Sequence, residues 1–379
     1  IVDFDLKKIK TIDDLGDVKG KKILLRLSLN VPVENGHVVD PFRIEMSVPT
    51  IMELREKGAK VILLSHIGRD PNATLEPIMR YLQDFLPVVF IRDIFSDNAK
   101  KMIDYSAPGS VVVLENLRRH EGEEKNDKDF SKHLASFGDI YINDSFPECH
   151  RAHASITGIT EFLPSYAGRQ LMQEIKNLSA AFNPTHPFLF ILGGAKVETK
   201  LPLINNFLDK ADNIFIGGVI ANDFLKAKGL ATGKSLLSSE IPPKELLENK
   251  KIILPVDFYV DRNGKKENIV QDSVLESDKI FDMGRKSTEQ LCELIKKSKF
   301  ILWNGPVGYC EGGFCEGTEK IAEAIVESKA VSVVGGGDTL AFVNDKVQEK
   351  ISFVSTGGGA MLDFLAKGNI PGIEALENN

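Results

Sequence analysis

Short apolar runs alternate along the chain with longer amphipathic stretches, and the runs stop abruptly at Gly, Asn or a basic residue. In the first half they are Lys22-Ile23-Leu24-Leu25-Arg26, Val61 to His66, Val111 to Asn116 and Ile140 to Asp144. In the second half they are Phe188 to Gly194, Ile214 to Gly218, Phe300 to Gly305, Val331 to Gly337 and Ile351 to Gly357. Near-continuous apolar runs without polar alternation mark strands buried on both faces, as in parallel sheets. Helical periodicity covers Val48 to Lys57, Phe130 to Phe137, Leu201 to Leu208, Thr288 to Lys297 and Thr318 to Ser328. Strand then helix, repeated, predicts an α/β protein with right-handed crossovers. Ligands of such sheets gather beyond the carboxyl ends of the strands, so the residues just after each run carry the functional reading. A further helix is expected over Leu171 to Phe182, ended by Asn183-Pro184-Thr185-His186-Pro187 because proline cannot continue it. The domain boundary is placed in this region.

Composition narrows the picture. A length of 379 residues allows two domains, each with its own core. With 42% apolar and 27% charged residues, bulk disorder is excluded. A net charge of −7 argues against a general nucleic-acid binder. No apolar run approaches a membrane span, and Ile1-Val2-Asp3-Phe4-Asp5 lacks the basic start and apolar core of a signal peptide. A cytoplasmic protein with neither nucleic acid nor membrane as partner is expected. Four cysteines make no disulfide framework, and Cys310 and Cys315 are expected to be unpaired thiols in a reducing compartment. Asn-x-Ser/Thr matches at Asn72, Asn143 and Asn177 are read as chance.

The strand ends of the two halves carry different chemistry. Those of the first half are basic: Arg26, Arg43 after a loop, His66 and Arg69, Arg118-Arg119-His120, and His150-Arg151-Ala152-His153. Gathered in an acidic chain, these residues predict a site for a small, strongly anionic molecule, since guanidinium pairs bidentately with carboxylate and phosphate. Cys149-His150 with His153 can also be read as a metal cluster, but Arg151 beside them would repel a cation, and oxyanion binding fits better.

Those of the second half are glycine-rich: Gly193-Gly194-Ala195-Lys196, Gly217-Gly218, Asn304-Gly305-Pro306-Val307-Gly308, Gly335-Gly336-Gly337-Asp338-Thr339 and Gly357-Gly358-Gly359-Ala360. Glycine lets the backbone approach a ligand, and helix starts favour phosphate. The set predicts a nucleotide laid across several loops. Gly229 to Ser235 falls one residue short of a P-loop and follows a helical stretch. Leu340 and Leu362 spoil the dinucleotide fingerprint after the triple glycines. One half for a small anion and one for a nucleotide predicts phosphoryl transfer, whose catalysis is mainly positioning and charge neutralisation. Lys196 and Asp338 are the candidate cation and metal ligand.

Further stretches join these: Leu29-Asn30-Val31-Pro32, Ser65-His66-Ile67-Gly68-Arg69, Leu114-Glu115-Asn116-Leu117-Arg118, Asn143-Asp144-Ser145-Phe146, Leu254-Pro255-Val256-Asp257 and Ser355-Thr356-Gly357. With these motifs in order from about Leu15 to Ala375, the chain resembles the phosphoglycerate kinases. The resemblance implies two lobes, each a mainly parallel sheet flanked by helices in a Rossmann-like three-layer αβα arrangement, with a C-terminal tail returning to the first lobe. It implies a phosphoglycerate-binding domain over 1–168, a connecting helix over 169–183, a nucleotide-binding domain over 184–362 and a returning segment over 363–379. The implied reaction is reversible, Mg²⁺-dependent phosphoryl transfer from 1,3-bisphosphoglycerate to ADP, with hinge closure, by a monomer acting on small molecules.

Carried over by position, Ser28, Asn30, Arg43, His66, Arg69, Arg118 and Arg151 would hold phosphoglycerate. Arg43 would also lie against the transferring group, with Lys196 following it. Lys196 and Lys200 would contact the nucleotide phosphates and Asp338 would ligate Mg²⁺. Gly217, Gly218, Asn304, Pro306 and Glu311 would line the adenosine site, and Gly357, Gly358 and Gly359 would offer backbone donors. Gly194, Ala195, Gly335, Gly336, Gly337 and Thr339 complete the nucleotide set.

The chain departs from the family pattern at several positions. Ser28 stands where Asp is usual, Thr199 replaces Asp, and Pro147-Glu148 replaces Gly-Thr. Arg119 replaces an aromatic residue, Val219 a glycine, Arg285 a proline and Asp363 a glutamate. Two other readings stay open on the residues alone: an ATP-dependent kinase for another small carboxylic acid, and a nucleotide-binding paralogue without catalysis.

Overall fold

Each long apolar run becomes a strand, and the central ones are buried on both faces. In a computed structural model the described residues are 6–238, 240–262, 264–335, 337–341 and 343–379. The strands of the first half are β1 (Lys22–Leu27), β2 (Val33–Glu34), β3 (His37–Val38), β4 (Lys60–Leu64), β5 (Val88–Ile91), β6 (Val111–Leu114), β7 (Ile140–Asp144) and β8 (Ser165–Ala167). Six of them form a parallel sheet in the order β5-β6-β4-β1-β7-β8, while β2 and β3 make a small antiparallel ribbon. Ile23, Leu25 and Leu27 of β1 enter one hydrophobic cluster and Leu24 another, so the sheet has a core on each face. The strand order reverses between β1 and β7, which makes their carboxyl ends the natural crevice.

The second half contributes β9 (Phe188–Leu192), β10 (Asn213–Ile216), β11 (Ile252–Ile253), β15 (Phe300–Asn304), β16 (Val331–Gly335) and β17 (Phe353–Ser355). They form a parallel sheet in the order β11-β10-β9-β15-β16-β17, reversing between β9 and β15. A feature absent from the sequence reading is a separate antiparallel sheet, β13-β12-β14, built from β12 (Asp257–Arg262), β13 (Lys265–Val270) and β14 (Ile280–Met283).

The expected helices are present with shifted ends: Phe42–Glu56, Lys128–Ala135, Val197–Phe207, Arg285–Lys297 and Glu316–Glu327. The first starts well before Val48 and carries Pro49 inside it. Burial of Ile44, Ile51 and Leu54 outweighs the roughly 3 kcal/mol cost of an interior proline. Among the described residues no helix is long and apolar enough to cross a membrane.

Contacts group the chain into two compact units, one running to Lys176 and including Lys367–Asn379, the other being Asn177–Ala366. The helix Arg169–Ser179 is continued by a 3₁₀ turn, Ala180–Phe182. Its start is pinned within the first unit: Leu171 N–H donates to Asp144 Oδ1 at 3.0 Å, and Arg169 pairs with Asp13 and Glu53 at 2.7 and 2.8 Å. Residues 367–379 pack there too, with Gly372 N–H donating to the Cys149 carbonyl at 2.8 Å.

One expectation is corrected. Cys310 and Cys315 are joined by a disulfide, with Cα atoms 4.3 Å apart. The intervening chain turns back through a 3₁₀ turn at Cys310–Gly312 and a left-handed Gly313, which brings the two sulfurs together. Cys149 and Cys292 are the free cysteines, Cys149 being buried.

Candidate functional site

In the first unit the site grows from the loops after β1, β4, β6 and β7. Asn30 ties the first two together: its Oδ1 accepts from Gly68 N–H at 2.9 Å, and its carbonyl accepts from Arg43 Nη1 at 3.3 Å. Arg118 Nη1 donates to the Gly68 carbonyl at 2.8 Å, and Arg118 Nε pairs with Glu124 at 3.2 Å. Ser28, Asn30, Arg43, His66 and Arg118 therefore belong to one network or its immediate border. Arg69 and Arg151 are exposed, and the Arg151 charge reaches both His66 and Arg118.

Arg26, a basic strand end, is a strut. It is fully buried; its Nε donates to Ser155 Oγ at 2.9 Å, and its Nη2 lies 3.0 Å from His66 Nδ1. Guanidinium can only donate, so Nδ1 of His66 accepts and a neutral ring carries its proton on Nε2. Burial first, then the charges of Arg26, Arg118 and Arg151, holds the His66 pKa far below the usual histidine value. Burial and the same arginines push His153 down to about 4. Both rings are thus neutral at ordinary pH and leave the positive charge to arginine.

The second site is built from backbone. Gly193, after β9, packs so closely on the loop after β15 that an added Cβ would collide with the Pro306 carbonyl. The amides of Gly193 and Gly194 donate to the carbonyls of Asn304 and Pro306, and those of Gly217 and Gly218 to Leu192 and Val307, at 2.7–3.0 Å. These four N–H groups are engaged within the protein. Gly194, Gly337 and Gly358, by contrast, have no neighbour within 4 Å of where a Cβ would stand.

Below them runs a buried chain of side chains. Lys200 Nζ donates to Asn304 Oδ1, and Asn304 Nδ2 donates to the Gly335 carbonyl at 3.2 Å. Thr339 Oγ1 accepts from Gly305 N–H at 2.8 Å and donates to the Gly335 carbonyl. Burial pushes the Lys200 pKa down to about 8. Lys196 is exposed and stands at the N-cap of the helix Val197–Phe207. Gly336 lies outside the described residues, as does the side chain of Asp338.

A cavity of about 640 Å³ opens beside these loops and brings Gly194, Ala195, Gly218, Pro306 and Glu311 together. Much of its wall was missed by sequence reasoning: Asn222, Leu236, Phe258, Phe281, Asp282 and Met283. The hairpin turn signal Asn263-Gly264 after the run Phe258-Tyr259-Val260 could have revealed part of that wall. Asp282 is raised to about 7 by burial, opposed by backbone N–H donation from Gly317 and Met283. A slot of this size, mainly apolar with a few polar groups, suits a flat heteroaromatic ligand.

The profile of one protein family, phosphoglycerate kinase, matches residues 12–368. The chain belongs to that family. A phosphoglycerate kinase from Chelativorans sp. (strain BNC1) is 43% identical over 97% of this chain and 99% of the relative. One from Zymomonas mobilis is 42% identical with the same coverage. Among solved structures, phosphoglycerate kinase from Coxiella burnetii superposes with a TM-score of 0.86 at 34% identity, covering 98% of this chain and 99% of that one. The enzyme from Pyrococcus horikoshii OT3 gives 0.84 at 32%, covering 97% and 98%.

Departures from the phosphoglycerate kinase pattern have visible local settings. Val219 lines the cavity where the family has glycine. Arg119 fixes a loop, its guanidinium donating to the carbonyls of Asn72 and Ala73 at 3.1 and 3.2 Å. Arg285 begins its helix with its N–H on Asn268 Oδ1 at 2.8 Å. Thr199 Oγ1 donates to the Lys196 carbonyl at 3.0 Å, an uncharged local link.

Proposed function

We propose that the chain catalyses reversible phosphoryl transfer between the acyl phosphate of 1,3-bisphosphoglycerate and ADP. Family membership across nearly the whole chain is the observation that carries this reading. The first unit would hold the phosphoglycerate through Ser28, Asn30, Arg43, His66, Arg69, Arg118 and Arg151, an arginine-rich network suited to carboxylate and phosphate. The second would hold the nucleotide, its base in the 640 Å³ slot lined by Gly218, Pro306 and Glu311. The open space at Gly194, Gly337 and Gly358 supports phosphates passing there, with Lys196 and Lys200 as cations. In domain terms, 1–168 serves the acid, 184–362 the nucleotide, 169–183 connects them and 363–379 completes the first.

Family membership implies Mg²⁺ with Asp338 as its protein ligand; an ion that takes one or two carboxylates plus substrate phosphates would need no more from the chain. When bound it would neutralise phosphate charge. A loose transition state spreads negative charge over the equatorial oxygens, and Arg43, Lys196 and helix-start amides would answer it. The substrate carboxylate itself is the attacking or leaving group, so no general base is needed. Transfer requires the two ligands to meet with water excluded. We place the protein in the cytoplasm as a monomer.

The deciding experiment supplies enzymatically generated 1,3-bisphosphoglycerate and ADP with and without Mg²⁺. ATP formation that depends on both substrates and the metal is expected. ATP binding without turnover would mark a non-catalytic paralogue, and turnover only with a different acid would mark another kinase.

A further inference from the structure

The reversal of strand order in the first sheet puts the ends of β1 and β7 side by side, with Leu27 paired to Asp144. Ser28 is the next residue on one strand, and Ser145 to Glu148 follow the other. Glu148 is 4% exposed, and each of its carboxylate oxygens is taken by a serine. Ser28 Oγ donates to Oε1 at 3.2 Å, and Ser145 Oγ donates to Oε2. His66 Nε2 lies 3.9 Å from Oε1.

A serine hydroxyl has one proton, and a carboxylate can only accept. The proton of Ser28 is therefore committed to Glu148, and the Ser28 oxygen is left with its lone pairs. Among the described residues no other group donates to that oxygen. The other side chains of the proposed acid site offer donors: Arg43, Arg69, Arg118, Arg151 and Nε2 of neutral His66, while Asn30 Oδ1 is already taken by Gly68 N–H. A phosphorylated hydroxy acid offers acceptors at its carboxylate and phosphate, and one donor, its free hydroxyl. The basic groups satisfy the acceptors; only a held lone pair satisfies the donor.

Building on the function proposed above, we propose that Glu148 is a positioning residue. It fixes Ser28 Oγ as the acceptor for the hydroxyl on the carbon next to the substrate carboxylate, and so selects α-hydroxy acids over their deoxy counterparts. The carboxylate that the family pattern carries at position 28 is here supplied from position 148, across the crevice between two strand ends.

The test measures kcat/KM with ATP for 3-phosphoglycerate and for 3-phosphooxypropanoate, which lacks that hydroxyl. Wild-type protein is expected to prefer phosphoglycerate by about 10- to 100-fold, the cost of leaving a built acceptor unpaired. In Glu148→Gln the amide can donate to Ser28 and turn its proton outward, so the preference should fall to within about 3-fold through KM for phosphoglycerate, with KM for ATP unchanged. Ser28→Ala, which removes the acceptor without touching Glu148, should lose the preference equally. The double variant Ser28→Asp/Glu148→Thr should restore it. If either single variant keeps the wild-type preference, or Glu148→Gln slows both acids in proportion, the inference is overturned while the proposed reaction stands. Wild-type protein that turns over neither acid overturns both.

Discussion

The two units build their candidate sites by opposite means. The first relies on side chains: Arg26, His66, Ser28 and Glu148 lock one another by hydrogen bonds, and arginines supply the charge. The second relies on main chain, with Gly193 and Gly305 letting two loops pass at a distance no Cβ would allow. A site of side chains fails when a group is removed. A site of backbone fails when a group is added. Glycine-rich loops in this protein thus serve packing as much as ligand, and which glycine does which depends on the space around it.

The largest effect should come from the charges expected to act on the transferring group. Arg43→Ala and Lys196→Ala should each lower kcat by about 10²- to 10³-fold without moving the melting temperature, read in a coupled assay and by calorimetry. A variant with near-normal turnover would break the assignment on its side of the comparison. Gly193→Ala is the converse change. Its methyl would strike the Pro306 carbonyl, and urea unfolding should show a loss of about 1–3 kcal/mol confined to the second unit. An unchanged transition would show that the loops can part.

pH separates the units next. Lys200, pushed down to about 8 from an ordinary 10.5, should lose its proton as pH rises through 8. KM for ADP should climb there while KM for phosphoglycerate stays flat, and Lys200→Met should erase the climb. Between 8 and 10.5 the unfolded chain holds more protons at this lysine than the folded one, so the same group makes stability rise with pH over that window. A phosphoglycerate KM that tracked the same titration would blur the distinction. The smallest effect is chemical: denatured protein kept free of reductant should show two reactive thiols, Cys149 and Cys292, and four after treatment with a dithiol. Four from the start would remove the cross-link.

The buried strands and their basic or glycine ends were legible because continuous apolar runs and abrupt stops are local signals. Three edge strands, β5, β8 and β11, were not, each being only partly buried. The antiparallel sheet was hidden for another reason. In β12 a buried Asp257 precedes Phe258, and Val260 is followed by exposed Asp261, so polar residues break the run that a search for continuous apolar stretches looks for. In the basic site the residue types were readable, but not the partnerships. Ser28 and Glu148 are 120 positions apart, and nothing local to either announces the other. Nor does Arg26 look different in sequence from Arg118, although one is a sealed strut and the other reaches the site's edge.

Residues 367–379 belong to the first unit although the whole of the second precedes them. Gly372 fits against Cys149 and Ile156 with no room for a Cβ, beside the very turn that bears Glu148. During synthesis the ribosome must therefore finish the second unit before the first can be sealed. A chain released before residue 367 would lack the plug behind that turn, so the first unit begins earliest and is completed last.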